Sequence, residues 1–188
     1  MSAEKNGKVN IEELAPLLVK EPLFMFLCPQ QERREGFIKK YLGHFIPKNQ
    51  KHGVVSVSDG GIVSMLYNPD EFNFRISGKK SFSLKHSRYA VNVLDHESIV
   101  NDVVNIVVPD TFEKRVLNLF ITRDCSDEEI TSVIEGYKKM ADEQGFVLVY
   151  ETLSKRLVPI FERLGFETGY ARNIMNTRFF QTVMTYNI

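Results

Sequence analysis

The stretch from Thr122 to Thr131 has the composition of a helix start that repels anions. It carries four carboxylates against one arginine and has no glycine. A helix N-terminus favours a bound phosphate by about 0.3 to 1 kcal/mol, whereas one carboxylate about 4 Å from a phosphate charge costs about 1 kcal/mol even in water. Ser126 and Glu129 also have the spacing of a capping box. We therefore expect an ordinary capped helix start rather than a phosphate cradle.

Histidine and cysteine spacing does not indicate a metal site or a catalytic thiol. The run Asp95-His96-Glu97 has metal-ligand residue types, but its spacing favours a solvated turn. Cys28 lies within an apolar run, as small core residues do. Cys125 precedes a helix, but the acidic side chains around it oppose formation of the thiolate that a nucleophile needs. The sequence has four histidines, His44, His52, His86 and His96. None has metal-ligand spacing with another histidine or with either cysteine.

Lysines and aromatic residues are interleaved from Phe72 to Tyr89, a mixture that single-strand nucleic-acid binders use. A hairpin with an apolar face and lysines at its turn has the same composition. The run Gly78-Lys79-Lys80-Ser81 is not a P-loop, because Asn73 stands where the first glycine belongs. The 24 basic and 24 acidic residues balance. We therefore expect neither nucleic acid nor a membrane as partner.

Length and composition predict one domain spanning residues 1–188. A chain of 188 residues with 43% hydrophobic content buries roughly 70% of its extended surface and needs no metal or disulfide for stability. Because the chain has two cysteines, we do not expect a disulfide framework, and a reducing compartment fits this composition. The first residues are polar, and no apolar run approaches the roughly 18 residues of a membrane span. We expect a cytoplasmic protein, and the sequence leaves a homodimer open.

The elements that must position these residues follow from periodicity and turn chemistry. Three helices are predicted first, at Ile11–Val19, from Glu21-Pro22 to near Pro29, and at Gln31–Phe45. A β-hairpin follows, with strands Val54–Ser58 and Ile62–Tyr67 around Asp59-Gly60-Gly61. A second hairpin, Phe72–Ile76 with Phe82–Leu84, and a helix at Glu97–Asn105 have weaker signals.

The C-terminal half predicts alternating strands and helices. Because single helices separate successive strands, we expect right-handed crossovers within a mixed α/β sheet. Its elements are strand Val116–Ile121, helix Asp127–Asp142, strand Phe146–Tyr150, helix Ser154–Leu164 and two further strands, the last at Arg178–Tyr186.

The segment from Tyr150 to Glu167 has a specific pattern. Ser154 is positioned to cap its helix, the apolar stripe consists of Val158, Phe161 and Leu164, and Gly165 supplies a left-handed cap. The segment resembles the strand-loop-helix-strand block of the GNAT superfamily of acetyl-CoA-dependent N-acyltransferases, whose helix ends in a (Y/F)E(R/K)LGF run. Here that run is Phe161-Glu162-Arg163-Leu164-Gly165-Phe166.

A second resemblance lies nearer the N-terminus. The residues Glu21-Pro22-Leu23-Phe24, followed by Pro29 and Glu32-Arg33-Arg34, are similar to the N-terminal helices of one GNAT subgroup. In that subgroup a hairpin follows and ends in a proline, as at Pro69. The resemblance implies a mixed α/β (α+β) GNAT-like fold with extra N-terminal helices. It also implies acetyl transfer from acetyl-CoA to an amine, or, alternatively, a GNAT fold that has lost catalysis and serves as a binding or regulatory module.

The resemblance further implies where acetyl-CoA would bind. In the family, the strand matching Val116–Ile121 splays from its neighbour and bonds the pantetheine arm, with an oxyanion held by N–H groups near Phe120 and Ile121. The next helix points its N-terminus at the pyrophosphate. The implied cofactor-binding residues are Leu119, Phe120, Ile121, Ser126, Asp127, Glu128, Glu129, Ile130, Thr131, Ser154, Val158 and Phe161.

Phe161 departs from the family pattern, because many GNAT enzymes have a tyrosine there that protonates the departing thiolate. Phenylalanine has no proton to give. The substitutes nearest in sequence are Tyr150, Glu151 and Tyr170. For each of them the sequence favours the simpler interpretation, a strand residue that packs or faces solvent.

Overall fold

The computed structural model describes residues 10–58, 61–69, 87–122, 125–174 and 176–188, with the backbone alone at positions 52, 87 and 88. The N-terminal part contains helices α1 (Ile11–Leu17), α2 (Pro22–Leu27) and α3 (Gln31–His52), strands β1 (Gly53–Val57) and β2 (Ile62–Tyr67), and helix α4 (Ser87–Val107). The C-terminal part contains strand β3 (Lys114–Ile121), helix α5 (Asp127–Gln144), strand β4 (Val147–Thr152), helix α6 (Val158–Arg163), and strands β5 (Glu167–Asn173) and β6 (Phe180–Tyr186).

The described strands form one six-stranded sheet in the order β1-β2-β3-β4-β6-β5. Only the β3–β4 pair is parallel, with α5 as its crossover, and the other pairs are antiparallel. The predicted mixed α/β sheet is thus confirmed. Helix α6 connects β4 and β5, and these strands are not neighbours in the sheet, because β6 lies between them. The last strand of the chain, β6, therefore lies inside the sheet rather than at its edge.

Helices cover both faces of the sheet because side chains alternate along each strand. On β3, Val116 and Phe120 point to a core shared with α1 to α4. Leu117 and Leu119 point the other way, to a core shared with α5 and α6. The fold therefore has three layers, and β4 sits in the middle of the sheet with both faces buried.

Two polar side chains, from Glu21 and Arg34, hold the N-terminal helices together. The Glu21 carboxylate accepts from the N–H groups of Leu23 at 2.7 Å and Phe24 at 3.3 Å, and so caps α2. The buried Arg34 guanidinium donates to the carbonyls of Val19, Cys28 and Pro29 at 2.8 to 2.9 Å. These carbonyls belong to the connections on either side of α2, so Arg34 locks α1, α2 and α3 together.

Several predicted boundaries shift in the structure. Helix α1 ends at Leu17 rather than Val19, and its N-cap Asn10 makes no side-chain cap. Helix α3 continues beyond Phe45 to His52, and α4 is longer than the predicted Glu97–Asn105. The first hairpin is confirmed, with Val54 opposite Leu66. The second predicted hairpin, at positions 72–84, lies outside the described residues.

Helix α6 begins later than its sequence predicts. Ser154 does not cap it: the N-cap is Leu157, whose side chain makes no cap, and a turn from Ser154 to Leu157 precedes the helix. Pro159 lies in the first helical turn, where its missing N–H is tolerated. Ile160 and Phe161 are the buried residues, whereas Val158 and Leu164 are half-buried. The apolar stripe is therefore rotated from the predicted one.

Candidate functional site

Strands β3 and β4 separate halfway along their length. Their parallel pairing runs from Lys114 opposite Val147 to Leu117 opposite Tyr150 and ends there, although β3 continues to Ile121. On its other edge β3 stays paired with β2 as far as Ile121. The last four residues of β3 therefore have an unpaired edge that faces β4, which is the predicted splay.

The peptide groups of Leu119 and Ile121 point into this splay. The Thr122 N–H donates to the Gly61 carbonyl at 3.1 Å, so even-numbered residues of β3 face β2. The Val147 N–H donates to the Glu113 carbonyl at 2.8 Å, so odd-numbered residues face β4. The Phe120 N–H hence belongs to the β2 ladder. Leu119 and Ile121 supply the donors on the open edge.

A cavity of about 200 Å³ lies at the mouth of the splay. Ile121 and Thr122 line it from the end of β3, and Ser154 and Arg156 line it from the loop after β4. Glu21, at the start of α2, lines its opposite side together with Leu17, Lys20 and Pro22. The splay and this cavity form one path from the protein surface toward β4.

Beside this path, the N-terminus of α5 is closed by its own side chains. The predicted capping box is confirmed: the Glu129 N–H donates to Ser126 Oγ at 3.2 Å, and the Ser126 N–H donates to Glu129 Oε2 at 2.8 Å. Arg156 donates to Asp127 Oδ1 at 3.0 Å and to the Cys125 carbonyl at 2.9 Å. The acidic first turn is therefore paired with a cation from the next loop.

A buried acid–base group lies on the other face of β4. Glu151 Oε1 accepts from His96 Nε2 of α4 at 3.3 Å and from Gln181 Nε2 of β6 at 3.1 Å. His96 Nδ1 lies 3.8 Å from Glu97 Oε1, which is an ion-pair distance and too long for a hydrogen bond. All four side chains are less than 9% exposed. Helix α4 and strand β4 thus place one imidazole between two carboxyl groups.

Burial and mutual charge shift the ionisation of this group. Burial alone lowers the pKa of His96, but Glu151 and Glu97 outweigh it and raise the pKa to about 10. Burial raises the pKa of Glu97, and His96 opposes that rise. Burial likewise raises the pKa of Glu21 to about 8, against its two N–H bonds. At neutral pH His96 is therefore an imidazolium that donates to Glu151 Oε1.

A cavity of about 400 Å³ opens onto this acid–base group. His96 and Gln181, the two residues that bond Glu151, both line it. Its apolar lining comes from Phe26 of α2, Ile99 of α4 and Tyr170 of β5, together with Ile174. The volume lies within the range of small-molecule sites. We refer to it as the α2–α4–β5 cavity.

Comparison with known proteins bears on this architecture. No protein-family model matches the chain. No curated protein sequence matches it either. Among solved structures, it is similar to the crystal structure of a single-residue mutant of an agmatine N-acetyltransferase in its apo form. The match has a TM-score of 0.51 and 12% sequence identity, and covers 94% of this chain and 93% of that one.

The chain has a GNAT-like fold. At 12% identity the likeness extends to the fold alone, and it covers nearly the whole chain. The predicted fold class is therefore confirmed beyond the segment from Tyr150 to Glu167 that indicated it.

The residues at the splay fit the pantetheine arm of acetyl-CoA, whereas those at the start of α5 do not fit its pyrophosphate. The splay offers the N–H groups of Leu119 and Ile121 to a pantetheine arm. The start of α5 does not fit a pyrophosphate, since Ser126 and Glu129 already use two of its N–H groups and the Asp127 carboxylate stands at the first turn. The acidic stretch thus departs from the GNAT pattern in three dimensions as it does in sequence.

Tyr150 and Phe161 lie against each other on the α5–α6 face. Their rings are 3.7 Å apart between centroids and 2° from parallel. Both side chains are buried, and the Tyr150 hydroxyl makes no hydrogen bond of good geometry with the described residues. Burial raises the pKa of Tyr150 far above its ordinary value, so the hydroxyl keeps its proton. Tyr150 is also the last β4 residue paired with β3 before the splay.

The remaining predicted site residues are divided between several places. Of the predicted catalytic residues, Glu151 and Tyr170 lie near the α2–α4–β5 cavity, whereas Tyr150 lies on the opposite face of β4. In the first turns of α5, Glu128 is exposed, Ile130 is buried and Thr131 is half-buried. Val158 lines a shallow groove against Phe180 and Thr182, away from the splay mouth that Ser154 lines.

Sequence reasoning missed His96, Gln181 and Glu21 as site residues. The expected solvated turn at Asp95-His96-Glu97 was wrong, because both His96 and Glu97 are buried on α4. A signal was present: Val93, Val100 and Val104 share a helical face with His96, and all three are buried. Extending the predicted helix by one or two turns would have placed His96 in the core.

Within the described ranges, no group of three or more His, Cys, Asp or Glu side chains could hold a metal ion. No helix among these residues is both long enough and apolar enough to cross a bilayer.

Proposed function

We propose that the protein transfers an acyl group from a coenzyme A thioester to a primary amine. The observation that carries the proposal is the position of Glu151. It follows directly after Tyr150, the last β4 residue paired at the splay, and its carboxylate is held by His96 and Gln181, which line the α2–α4–β5 cavity. An acyl donor in the splay and an amine in this cavity would meet at β4.

Each group of this chain then has a defined task. Acetyl-CoA supplies a thioester-activated acyl group. Glu151 accepts the proton that the substrate ammonium must lose, and His96 keeps the Glu151 side chain oriented. The N–H groups of Leu119 and Ile121 donate to the oxygen that gains negative charge. Tyr150 provides a hydroxyl for the leaving sulfur in place of the one that Phe161 lacks.

The test is a mass-spectrometric assay for N-acetylated product with acetyl-CoA and a panel of primary amines. We expect product with the native protein. Glu151→Gln, which keeps shape and hydrogen bonding, should lower turnover by about 100-fold or more. Glu162→Gln makes the same chemical change at an exposed position on α6 and serves as the control. Absence of product with every amine, or equal turnover in Glu151→Gln, would refute the proposal.

A second candidate function is a non-catalytic binding or regulatory module with a GNAT-like fold. The closed α5 N-terminus favours it, because the capping box and the Asp127–Arg156 pair take up groups that a pyrophosphate would need. Such a module would bind a ligand in the α2–α4–β5 cavity and form no acyl product. Ligand binding with no turnover would select this candidate.

A further inference from the structure

We infer that the α2–α4–β5 cavity binds primary monoamines with an uncharged, apolar body and discriminates against di- and polyamines. The inference rests on the proposed function where it assigns the cavity to the acceptor. It goes further by naming the class of acceptor. The argument uses the walls of the cavity, the charges along it and the state of its buried carboxylate.

The walls suit an apolar body. Phe26 and Tyr170 are partly buried against the main core, and Phe26 packs on Phe179 at 5.6 Å between ring centroids. Ile174 belongs to the same partly buried set, and Ile99 lines the cavity from α4. Aromatic and branched side chains from three elements thus form an apolar part of the wall, and the rest of the lining is polar or charged. Moving an apolar group from water into this cavity is favourable, and the aromatic rings add edge or face contacts.

The charges do not suit a second cation. Among the described lining residues, Asp95 is the one carboxylate, and it is exposed to solvent. Arg172 lines the same cavity and repels a cation there. The buried carboxyl group beneath, Glu151, already accepts from His96 and Gln181 and does not itself line the cavity, so it offers no partner to a second cation. A second ammonium or a guanidinium would lose water and gain only the solvent-exposed Asp95 carboxylate as a charged partner, in a cavity that Arg172 also lines.

Direct binding tests this inference without an acyl donor. Isothermal titration of the whole chain would compare 2-phenylethylamine and 3-methylbutylamine with 1,4-diaminobutane and agmatine at one pH and ionic strength, in the absence of acetyl-CoA. We expect the two monoamines to bind at least about tenfold more tightly than the two dications. Equal or tighter binding of the dications overturns the inference, and so does the absence of monoamine binding.

A pair of variants on α4 checks the location. Ile99→Asp puts a carboxylate into the cavity wall at a residue that is 48% exposed, so folding tolerates it. It should weaken 2-phenylethylamine binding about tenfold and strengthen 1,4-diaminobutane binding. Ile106→Asp makes the same change two turns later, at a residue that is 78% exposed and does not line the cavity. Identical binding by both variants would show that the cavity is not the site.

Failure of this inference and failure of the proposed function have different signatures. Tight monoamine binding without N-acetylated product leaves the binding class intact and removes the acyl transfer. Acetylation of agmatine or 1,4-diaminobutane in preference to the monoamines leaves acyl transfer intact and removes the binding class.

Discussion

The ring of Tyr150 stacks on the ring of Phe161 at 3.7 Å between centroids, so a hydroxyl lies next to the α6 position where the GNAT pattern has one. The hydroxyl is thus carried by β4 rather than by the helix. Its burial without a hydrogen bond of good geometry gives no evident gain in stability. A role in chemistry would explain why it is there.

Tyr150→Phe separates these roles. Removing a buried hydroxyl that lacks a good partner should leave the free energy of unfolding unchanged or raise it by up to about 1 kcal/mol. If Tyr150 serves the leaving sulfur, turnover should fall by about 100-fold at unchanged amine affinity. Urea unfolding and product formation measure the two effects. Tyr186→Phe, which removes a hydroxyl bonded to Asp142, is the control. Full turnover in Tyr150→Phe would make Tyr150 a packing residue.

The protein should lose stability as the pH rises from 5 to 10. The pKa of Glu21 is raised from 4.5 to about 8, so its ionisation disfavours the folded state progressively between those values. The pKa of His96 is raised from 6.5 to about 10, so its stabilising charge is fully present below 6.5 and is lost toward 10. Both groups bind more protons in the folded state. The free energy of unfolding therefore decreases throughout this range.

Urea unfolding at intervals of one pH unit measures this decrease. His96→Gln should flatten the upper part of the curve, between pH 6.5 and 10. His44→Gln should retain the decrease, because the pKa of His44 is lowered, chiefly by burial. A free energy of unfolding that stays constant or increases from pH 5 to 10 in the native protein would contradict the assigned ionisation.

The capping box should contribute measurably to stability. Ser126→Ala removes the oxygen that accepts from the Glu129 N–H and should cost about 1 kcal/mol, or about 2 to 4 °C in Tm. Ser154→Ala is the matched control, because the Ser154 side chain does not cap α6, and it should change stability by less than about 0.5 kcal/mol. Equal losses of stability in the two variants would show that the Ser126 side chain does not stabilise the start of α5.

Acetyl-CoA should raise the Tm of the native protein only weakly at millimolar concentration. The double variant Asp127→Gly with Glu128→Gly should respond more strongly, because two carboxylates are lost and Arg156 is released from Asp127. A ligand at about 100 times its Kd stabilises by roughly 2.7 kcal/mol, and each kcal/mol raises Tm by about 2 to 4 °C. The expected shift at saturation is therefore several degrees.

Each acetyl-CoA shift must be taken relative to the same variant without ligand, since glycines weaken the helix start. Glu135→Gly with Glu143→Gly removes equal charge farther along α5 and should not improve the response. A large shift of the native protein at micromolar acetyl-CoA would show that the α5 start accepts the pyrophosphate. No shift in any variant would favour the non-catalytic module.

Features that depend on neighbouring residues were predictable from the sequence. The Ser126–Glu129 capping box is confirmed because both partners lie within one helical turn. The strand containing Val116 and Phe120 was predictable from its β-branched and aromatic residues. The mixed sheet followed from the alternation of strands and helices. Helix α6 is the exception, because it begins at Val158 with Pro159 in its first turn rather than directly after Ser154.

The sequence by itself determined the fold class, the capped and acidic start of α5, and the loss of the tyrosine at Phe161. Tertiary structure decided the place of β6 between β4 and β5, and with it the contact of Gln181 with Glu151. It also brought His96 to Glu151 across 55 positions of the chain. Local patterns cannot determine such contacts, because strand order and helix docking are set by burial of whole apolar faces rather than by any residue's neighbours.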